Sequence, residues 1–178
     1  MNTKKLVRIA VLTAAAILLM HTIFFPIPPF PNFLTYDPGD IPGLLATFAW
    51  GPLGGLLVQF LKCTLGYFLG ASKAGAIGMA ANFVSGGTMV LIAGMVYQQH
   101  KTLKRAILAL VCGAVAAALI MALANYFVFF PLWGFPTTGA LTLIVKVVFP
   151  FNLVKYSISS LVTFLIYKRT KRFFVEEA

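Results

Sequence analysis

A stripe of polar side chains lies inside the last strongly apolar stretch of the sequence. Asn152, Lys155, Tyr156 and Ser159 are spaced i, i+3, i+4 and i+7, which places them on one face of one helix. Polar groups in hydrocarbon are costly and normally face a protein interior or a cavity. The stripe therefore predicts that this helix lines a polar pocket.

Polar residues in two other apolar segments can join the same pocket. Asn82 lies in a fourth apolar segment and Asn125 in a fifth. A single intramembrane asparagine often bonds two helices together, but three asparagines and a lysine on three helices favour a shared pocket. Lys155 matters most, because no acidic residue lies within a predicted span to pair with it. Asp40, at the start of a helix, could reach it from a loop or could simply cap that helix.

The chemistry of these groups suits a flat, uncharged ligand better than an ion. Aromatic residues make up 14% of the chain, and they favour a ring system. An asparagine offers a donor beside an acceptor, which matches an imide or uracil-like edge, and a lysine suits a carbonyl oxygen or a ring nitrogen. Lys62, a second lysine in an apolar run, is explained equally well by snorkelling, a structural ion pair or a ligand contact.

The residues that most enzymes need are missing from the sequence. It contains only 4 Asp and Glu residues, two of which, Glu176 and Glu177, lie in the C-terminal tail. His21 and His100 are isolated, and no glycine-rich phosphate loop occurs. The sequence therefore predicts no catalytic residue, metal site or cofactor, and any ATP-driven motor would have to be another chain.

The composition is that of an integral membrane protein. Of 178 residues, 60% are hydrophobic and 10% charged, with a mean hydropathy of +0.93, whereas soluble domains carry about 25% charged residues. The net charge of +10 comes from basic residues beside the apolar runs, which fits membrane topology and not nucleic-acid binding. Cys63 and Cys112 lie in apolar runs and are expected to be buried thiols without a disulfide.

The apolar segments predict an all-α, six-helix transmembrane bundle that forms a single membrane domain over residues 1–178. The helices are expected at about 4–25, 40–49, 52–70, 76–98, 104–130 and 141–168. The second is short for about 30 Å of hydrocarbon. Prolines exclude a helix over the loop at 26–40, which is expected to fold over the bundle, either as a lid on a site or as a passive surface loop.

The distribution of charge predicts the orientation of this bundle. Six crossings place both termini on one side of the membrane. The basic N-terminus, the loop at 98–105 and the basic C-terminal segment then all lie in the cytoplasm, and the acidic segment at 37–40 lies outside.

Small residues at a spacing of four indicate close helix approaches. Ala10 and Ala14 in the first helix form either a docking face for another protein or a packing face within the bundle, and the sequence alone favours packing. The pairs Gly51/Gly55 and Gly66/Gly70 are expected to pack internally.

Several motifs, in this order and spacing, resemble those of a known family. They are Ala10-x-x-x-Ala14, Asp40-Ile41-Pro42-Gly43-Leu44, Gly51-Pro52-Leu53-Gly54, Ala81-Asn82-Phe83-Val84-Ser85-Gly86, Asn125-Tyr126-Phe127, Pro131-Leu132 and Pro150-Phe151-Asn152-Leu153-Val154-Lys155. Across essentially its whole length the chain is similar to the substrate-binding S components of energy-coupling factor (ECF) vitamin transporters, and most similar to the riboflavin-specific RibU group.

The resemblance implies a vitamin-binding bundle in the bacterial cytoplasmic membrane, with the loop at 26–40 closing over the ligand. It implies that Asn125, Asn152 and Lys155 hold the flavin ring, and it places Asp40 and Asn82 in similar motifs. Tyr156 completes the set of candidate binding residues through its position on the stripe.

The resemblance also implies partners. Ala10 and Ala14 would dock on an EcfT-like transmembrane scaffold subunit, and two ECF ATPase subunits would power the complex. Riboflavin would be the transported ligand and not a cofactor.

Three other functions stay open at this point. The chain could be an S component for a different vitamin or a nucleobase-like compound, because such proteins share a fold. It could be a membrane scaffold or channel without a ligand. A membrane-embedded enzyme is disfavoured by the missing acid and metal motifs.

Overall fold

A computed structural model describes residues 3–72, 74–135 and 139–175, with side chains as far as Arg169. Lys73 in the small-residue turn, the centre of the loop at 131–139, and the acidic pair Glu176 and Glu177 lie outside the described residues.

Six helices form the described part of the chain, as the sequence predicts. Their bounds are α1 Thr3–Thr22, α2 Ile41–Trp50, α3 Pro52–Phe68, α4 Gly75–Gln99, α5 Leu103–Leu132 and α6 Ala140–Leu143 continued to Val175. Among the residues described, α1, α4, α5 and α6 are long and apolar enough to cross a membrane. The expected all-α membrane bundle is confirmed.

The helices α2 and α3 pack side by side, with Gln59 of α3 next to Asp40 and Gly43 at the start of α2, and a sharp turn joins them. Gly51 separates them with φ of 86°, a value that favours glycine, and Pro52 then starts α3. With 10 residues, α2 is about 15 Å long at 1.5 Å per residue, so it does not span hydrocarbon by itself.

The core of the bundle surrounds α2. Every residue from Ile41 to Ala49 is buried. One large apolar cluster joins this helix to α4, α5 and α6. At one end of that cluster the hydroxyls of Tyr97 and Tyr167 share a hydrogen bond beside the Phe48 ring. Lys62 and Gln59, on the inner face of α3, are fully buried.

The loop between α1 and α2 lies against the bundle and has structure of its own. Two short antiparallel strands, β1 (Phe25–Pro26) and β2 (Thr35–Tyr36), pair within it, and a 3₁₀ turn (Pro38–Asp40) leads into α2. The Phe30 ring packs edge-on against Phe151 of α6, with centroids 5.5 Å apart.

The Ala10/Ala14 pair of α1 does not pack within the bundle. This helix contacts its neighbours through Ile9, Thr13, Ala16 and Met20, which are buried, whereas Ala10 and Ala14 are exposed.

The glycine pairs differ from one another in their packing. A Cβ atom at Gly55 or Gly66 would collide with neighbouring groups, so both positions are close approaches as expected, but Gly70 has no neighbour within 4 Å of such an atom. Both cysteines are free thiols as expected, but only Cys63 is buried and Cys112 is partly exposed.

Candidate functional site

A cavity of about 920 Å³ opens where α1, α4, α5 and α6 meet beneath the loop at 26–40. Four of the candidate residues line it: Asn82, Asn125, Asn152 and Lys155. The loop contributes a run of lining residues, Asn32 to Thr35, and Asp37. The lining is mainly apolar, with a few converging polar groups, which is the usual character of a small-molecule site.

Asn125 and Asn152 are held in the same way on two neighbouring helices. Each side-chain Nδ2 donates a 2.8 Å hydrogen bond to a backbone carbonyl four residues earlier, on Met121 and Val148 respectively. Because the amide nitrogens face the backbone, the oxygens are the ends left for a ligand. Neither Oδ1 has a hydrogen bond to any described residue, so the pair supplies two acceptors.

A π-helical turn interrupts each of these two helices next to its asparagine. Residues Asn125–Phe129 form the turn in α5, and Ile144–Val148 form the turn in α6. Such turns widen a helix and frequently occur at functional sites. The sequence around both turns is uniformly apolar and gives no sign of a change from α-helix to π-helix. The two turns are therefore not predicted from the sequence.

Asn82 of α4 presents a third amide. Its Nδ2 lies 3.6 Å from the Met20 sulfur, a weak acceptor, and its Oδ1 is buried without a hydrogen-bond partner in the described part of the chain. A buried acceptor without a partner is costly, and a bound guest with a donor would satisfy it.

Lys155 has two acidic neighbours, Asp40, which the sequence offers as a possible partner, and Asp37, which it does not. Its Nζ lies 3.4 Å from Asp37 Oδ2 and 3.4 Å from Asp40 Oδ2. Both carboxylates come from the loop and not from a helix, which is why the apolar spans give no sign of them. Nothing in the sequence around Asp37 indicates that this residue folds back onto Lys155.

Asp40 does not line the cavity, although it is a candidate binding residue. It is fully buried and accepts from Lys62 Nζ at 2.5 Å and from Gln59 Nε2 at 3.0 Å. Its side chain makes no capping hydrogen bond to α2. Of the three explanations for Lys62, the structural ion pair is therefore the observed one.

Tyr156 is also separated from the cavity. Its side chain is fully buried in the apolar core with α2 and α4, and Ser159 is likewise buried. The stripe predicted from helical spacing thus divides: Asn152 and Lys155 line the cavity, whereas Tyr156 and Ser159 are buried and do not line it. Because α6 also packs against α2 and α5, only part of its polar face lines the cavity and the rest is buried.

Tyr36 lies beside the acidic residues of the loop. Burial raises the pKa of its phenol above the ordinary value, so the group stays neutral near pH 7. It adds no charge next to Asp37.

Comparisons with known sequences identify the family to which this chain is similar. Residues 4–167 match the family described as the substrate-specific component of the ECF transporter. The chain is 35% identical to the riboflavin transporter RibU of Staphylococcus aureus (strain TCH60), over 97% of this chain and 93% of that protein. It is 30% identical to the riboflavin transporter FmnP of Bacillus subtilis (strain 168), over 96% and 94% of the two chains.

A solved structure extends the likeness to three dimensions. It is described as the structure and mechanism of the S component of a bacterial ECF transporter, and it superposes with a TM-score of 0.85 at 34% identity, covering 98% of this chain and 99% of the other. The resemblance noted from the motifs is confirmed. The chain therefore belongs to the family of substrate-specific components of ECF transporters, which are multi-pass proteins of the bacterial plasma membrane.

Proposed function

We propose that this protein binds riboflavin in the cavity beneath the loop at 26–40 and serves as the riboflavin-specific component of an ECF importer. The observation that supports this most directly is the convergence of Asn125, Asn152 and Lys155 on one cavity. The relatives with 30% and 35% identity carry the name riboflavin transporter, which agrees with the chemistry of that cavity.

The cavity fits an uncharged aromatic guest in size and in charge. Its volume of about 920 Å³ lies within the range of about 300–1,000 Å³ for small-molecule sites. Lys62 and Lys155 are balanced by Asp37 and Asp40, so the cluster at its base has no net charge. The N–H of an imide edge could donate to one amide oxygen, and an imide carbonyl could accept from the ammonium, without leaving a buried charge unbalanced.

The loop at 26–40 is the proposed lid of this site. It supplies the residues from Asn32 to Thr35 to the cavity wall, and its Phe30 ring rests on Phe151, next to Asn152. A guest in the cavity would be covered by the loop, which supports the lid interpretation over a passive surface loop.

An EcfT-like transmembrane scaffold and two ECF ATPase subunits are the proposed partners. The exposed face of α1 at Ala10 and Ala14 supports a docking role, because small residues let another helix approach closely and here no helix of the described chain covers them. The bundle is proposed to lie with both termini in the cytoplasm, as the basic flanks indicate.

Titration of the purified protein tests this proposal. The protein would be prepared in detergent, freed of any bound small molecule, and titrated with riboflavin while flavin fluorescence is followed. Saturable binding at a 1:1 ratio is expected, with no competition from thiamine, biotin or uracil. Saturable binding of one of those compounds without riboflavin binding would favour an S component for another substrate, and binding of none would favour a scaffold or channel.

A further inference from the structure

Four charged side chains form a buried cluster at the base of the cavity, in two layers. Asp37 and Lys155 line the cavity, whereas Asp40 and Lys62 lie behind them with no exposed surface. The ligand chemistry proposed above uses only Lys155, so the rear pair needs its own explanation.

Distances within the cluster show that the two layers are held differently. Lys62 Nζ donates a direct charge-assisted hydrogen bond to Asp40 Oδ1 at 2.5 Å. Lys155 lies 3.4 Å from each of its two carboxylates. An ammonium has three donors, so Lys155 is restrained by two loose contacts and retains a donor for a third partner.

Asp40 connects the two layers through its two oxygen atoms. Oδ1 accepts from Lys62 and Gln59, and Oδ2 lies next to Lys155 without a hydrogen bond from any other described residue. The carboxylate is thus fixed on one side and presents its other oxygen to the lysine of the cavity.

The surrounding backbone leaves room for this arrangement. A Cβ atom at Gly86 of α4 would lie 2.8 Å from Gln59 Nε2 and 2.9 Å from Asp40 Oδ1. A Cβ atom at Gly43 would lie 3.1 Å from the same Gln59 nitrogen. Two glycines on different helices therefore make space for the rear layer.

We propose that Asp40 is a positioning residue: held by Lys62 and Gln59, it fixes the Lys155 ammonium at the base of the cavity, where the ammonium contacts the ligand. This inference rests on the proposed function of the cavity as a riboflavin site. Lys62 has a separate role. It neutralises the buried charge of Asp40 and so offsets the desolvation cost of that carboxylate.

Removing Asp40 alone is a poor test, because two buried ammonium groups would then share one carboxylate and the bundle could lose stability. The double variant Asp40→Asn/Lys62→Met removes one charge of each sign from the rear layer and keeps the Asp37–Lys155 pair. Without ligand, its melting temperature in detergent is expected to stay close to that of the unmodified protein. Its affinity for riboflavin is expected to fall about tenfold.

A thermodynamic cycle with Lys155→Met separates positioning from a general structural effect. If Asp40 acts through Lys155, adding Asp40→Asn/Lys62→Met to Lys155→Met should change riboflavin affinity by less than about twofold. An equal loss of affinity in both backgrounds would overturn the positioning role, and so would unchanged affinity in the double variant. Failure of the unmodified protein to bind riboflavin would instead contradict the proposed function itself.

Gln59→Met provides a second route should the double variant fail to fold. It removes one hydrogen bond to Asp40 and changes no charge. A two- to threefold loss of riboflavin affinity is expected, and this loss should vanish in the Lys155→Met background. A loss that persists there, or no loss at all, would contradict the proposal.

Discussion

Four polar side chains of the cavity are held by different kinds of contact. Asn125 and Asn152 are oriented by the backbone of their own helices, whereas Lys155 depends on carboxylates from the loop. Asn82 has only a weak contact with a sulfur atom. The two asparagines oriented by backbone are therefore the most rigid part of the site, and their oxygens are already placed before a ligand arrives.

Asn125→Ala and Asn152→Ala are each expected to weaken riboflavin binding by about 5- to 150-fold. Each change removes an acceptor and leaves a polar atom of the ligand unpaired, at about 1–3 kcal/mol. Fluorescence titration measures the effect. Ser157→Ala on the exposed face of α6 is the matched control and should bind like the unmodified protein. Normal affinity in both asparagine variants would remove these residues from the binding site.

Sequence patterns identified the cavity-facing amides but not the acidic partners of Lys155. Asparagine and lysine in apolar helices stand out because each is costly there. Asp37 lies in a turn-rich loop, where an acidic residue is ordinary. Its position next to Lys155 depends on how the loop folds back, and a pattern along the chain does not report that.

At the scale of elements, the loop at 26–40 and the helices α5 and α6 build the site together. The π-helical turns at Asn125–Phe129 and Ile144–Val148 occur where both helices line the cavity. The loop closes the same space through its strand pair and the Phe30 contact with Phe151. In its proposed role as a lid, the loop would therefore control access to the amides.

Phe30→Ala is expected to speed riboflavin release by about 2- to 10-fold. The variant loses an edge-to-face ring contact, a kind worth about 0.5–1.5 kcal/mol beyond area burial, which in the proposed lid would hold the loop closed. Stopped-flow fluorescence would measure the dissociation rate. Phe127→Ala, at an exposed position of α5, is the control. A release rate equal to that of the unmodified protein would show that this contact does not restrain the loop.

Ala14→Leu is expected to abolish riboflavin uptake by the assembled importer while changing ligand affinity less than about twofold. Its added bulk would stand on an exposed face of α1, far from any contact within the bundle, and would block close approach of another helix. Uptake of labelled riboflavin and co-purification of the scaffold subunit provide the readouts. Ala80→Leu, an equally exposed alanine on α4, is the control. Lost ligand binding with intact assembly would contradict a docking role.

At the scale of the whole molecule, the helical architecture can be predicted largely from the hydropathy of the sequence. Long apolar runs predict the number of helices, and a short second helix followed by a tight turn is expected because Gly51 and Pro52 interrupt the apolar run. The strand pair in the loop and the burial of Tyr156 in the core depend on contacts between distant segments. Local composition does not encode those contacts, so the outline of the bundle was predictable and the inner wall of the cavity was predictable only in part.

The proposed orientation of the bundle predicts the accessibility of two engineered cysteines. In a background where Cys63 and Cys112 are alanine, Lys101→Cys should react with a membrane-impermeant maleimide only after cells are opened. Asn32→Cys, in the loop over the cavity, should react in intact cells. The reason is that basic loops stay on the cytoplasmic side. The reverse pattern of labelling would show that the bundle is inverted.

The balanced charge of the cluster at the base of the cavity has an electrical consequence for import. An elementary charge that moves across the bilayer exchanges about 2.3 kcal/mol with a 100 mV potential. Lys62 and Lys155 carry as much positive charge as Asp37 and Asp40 carry negative, and riboflavin has none to add. A displacement of this cluster with its guest would therefore do no net work against the voltage across the cell membrane, and the energy for uptake has to come from elsewhere.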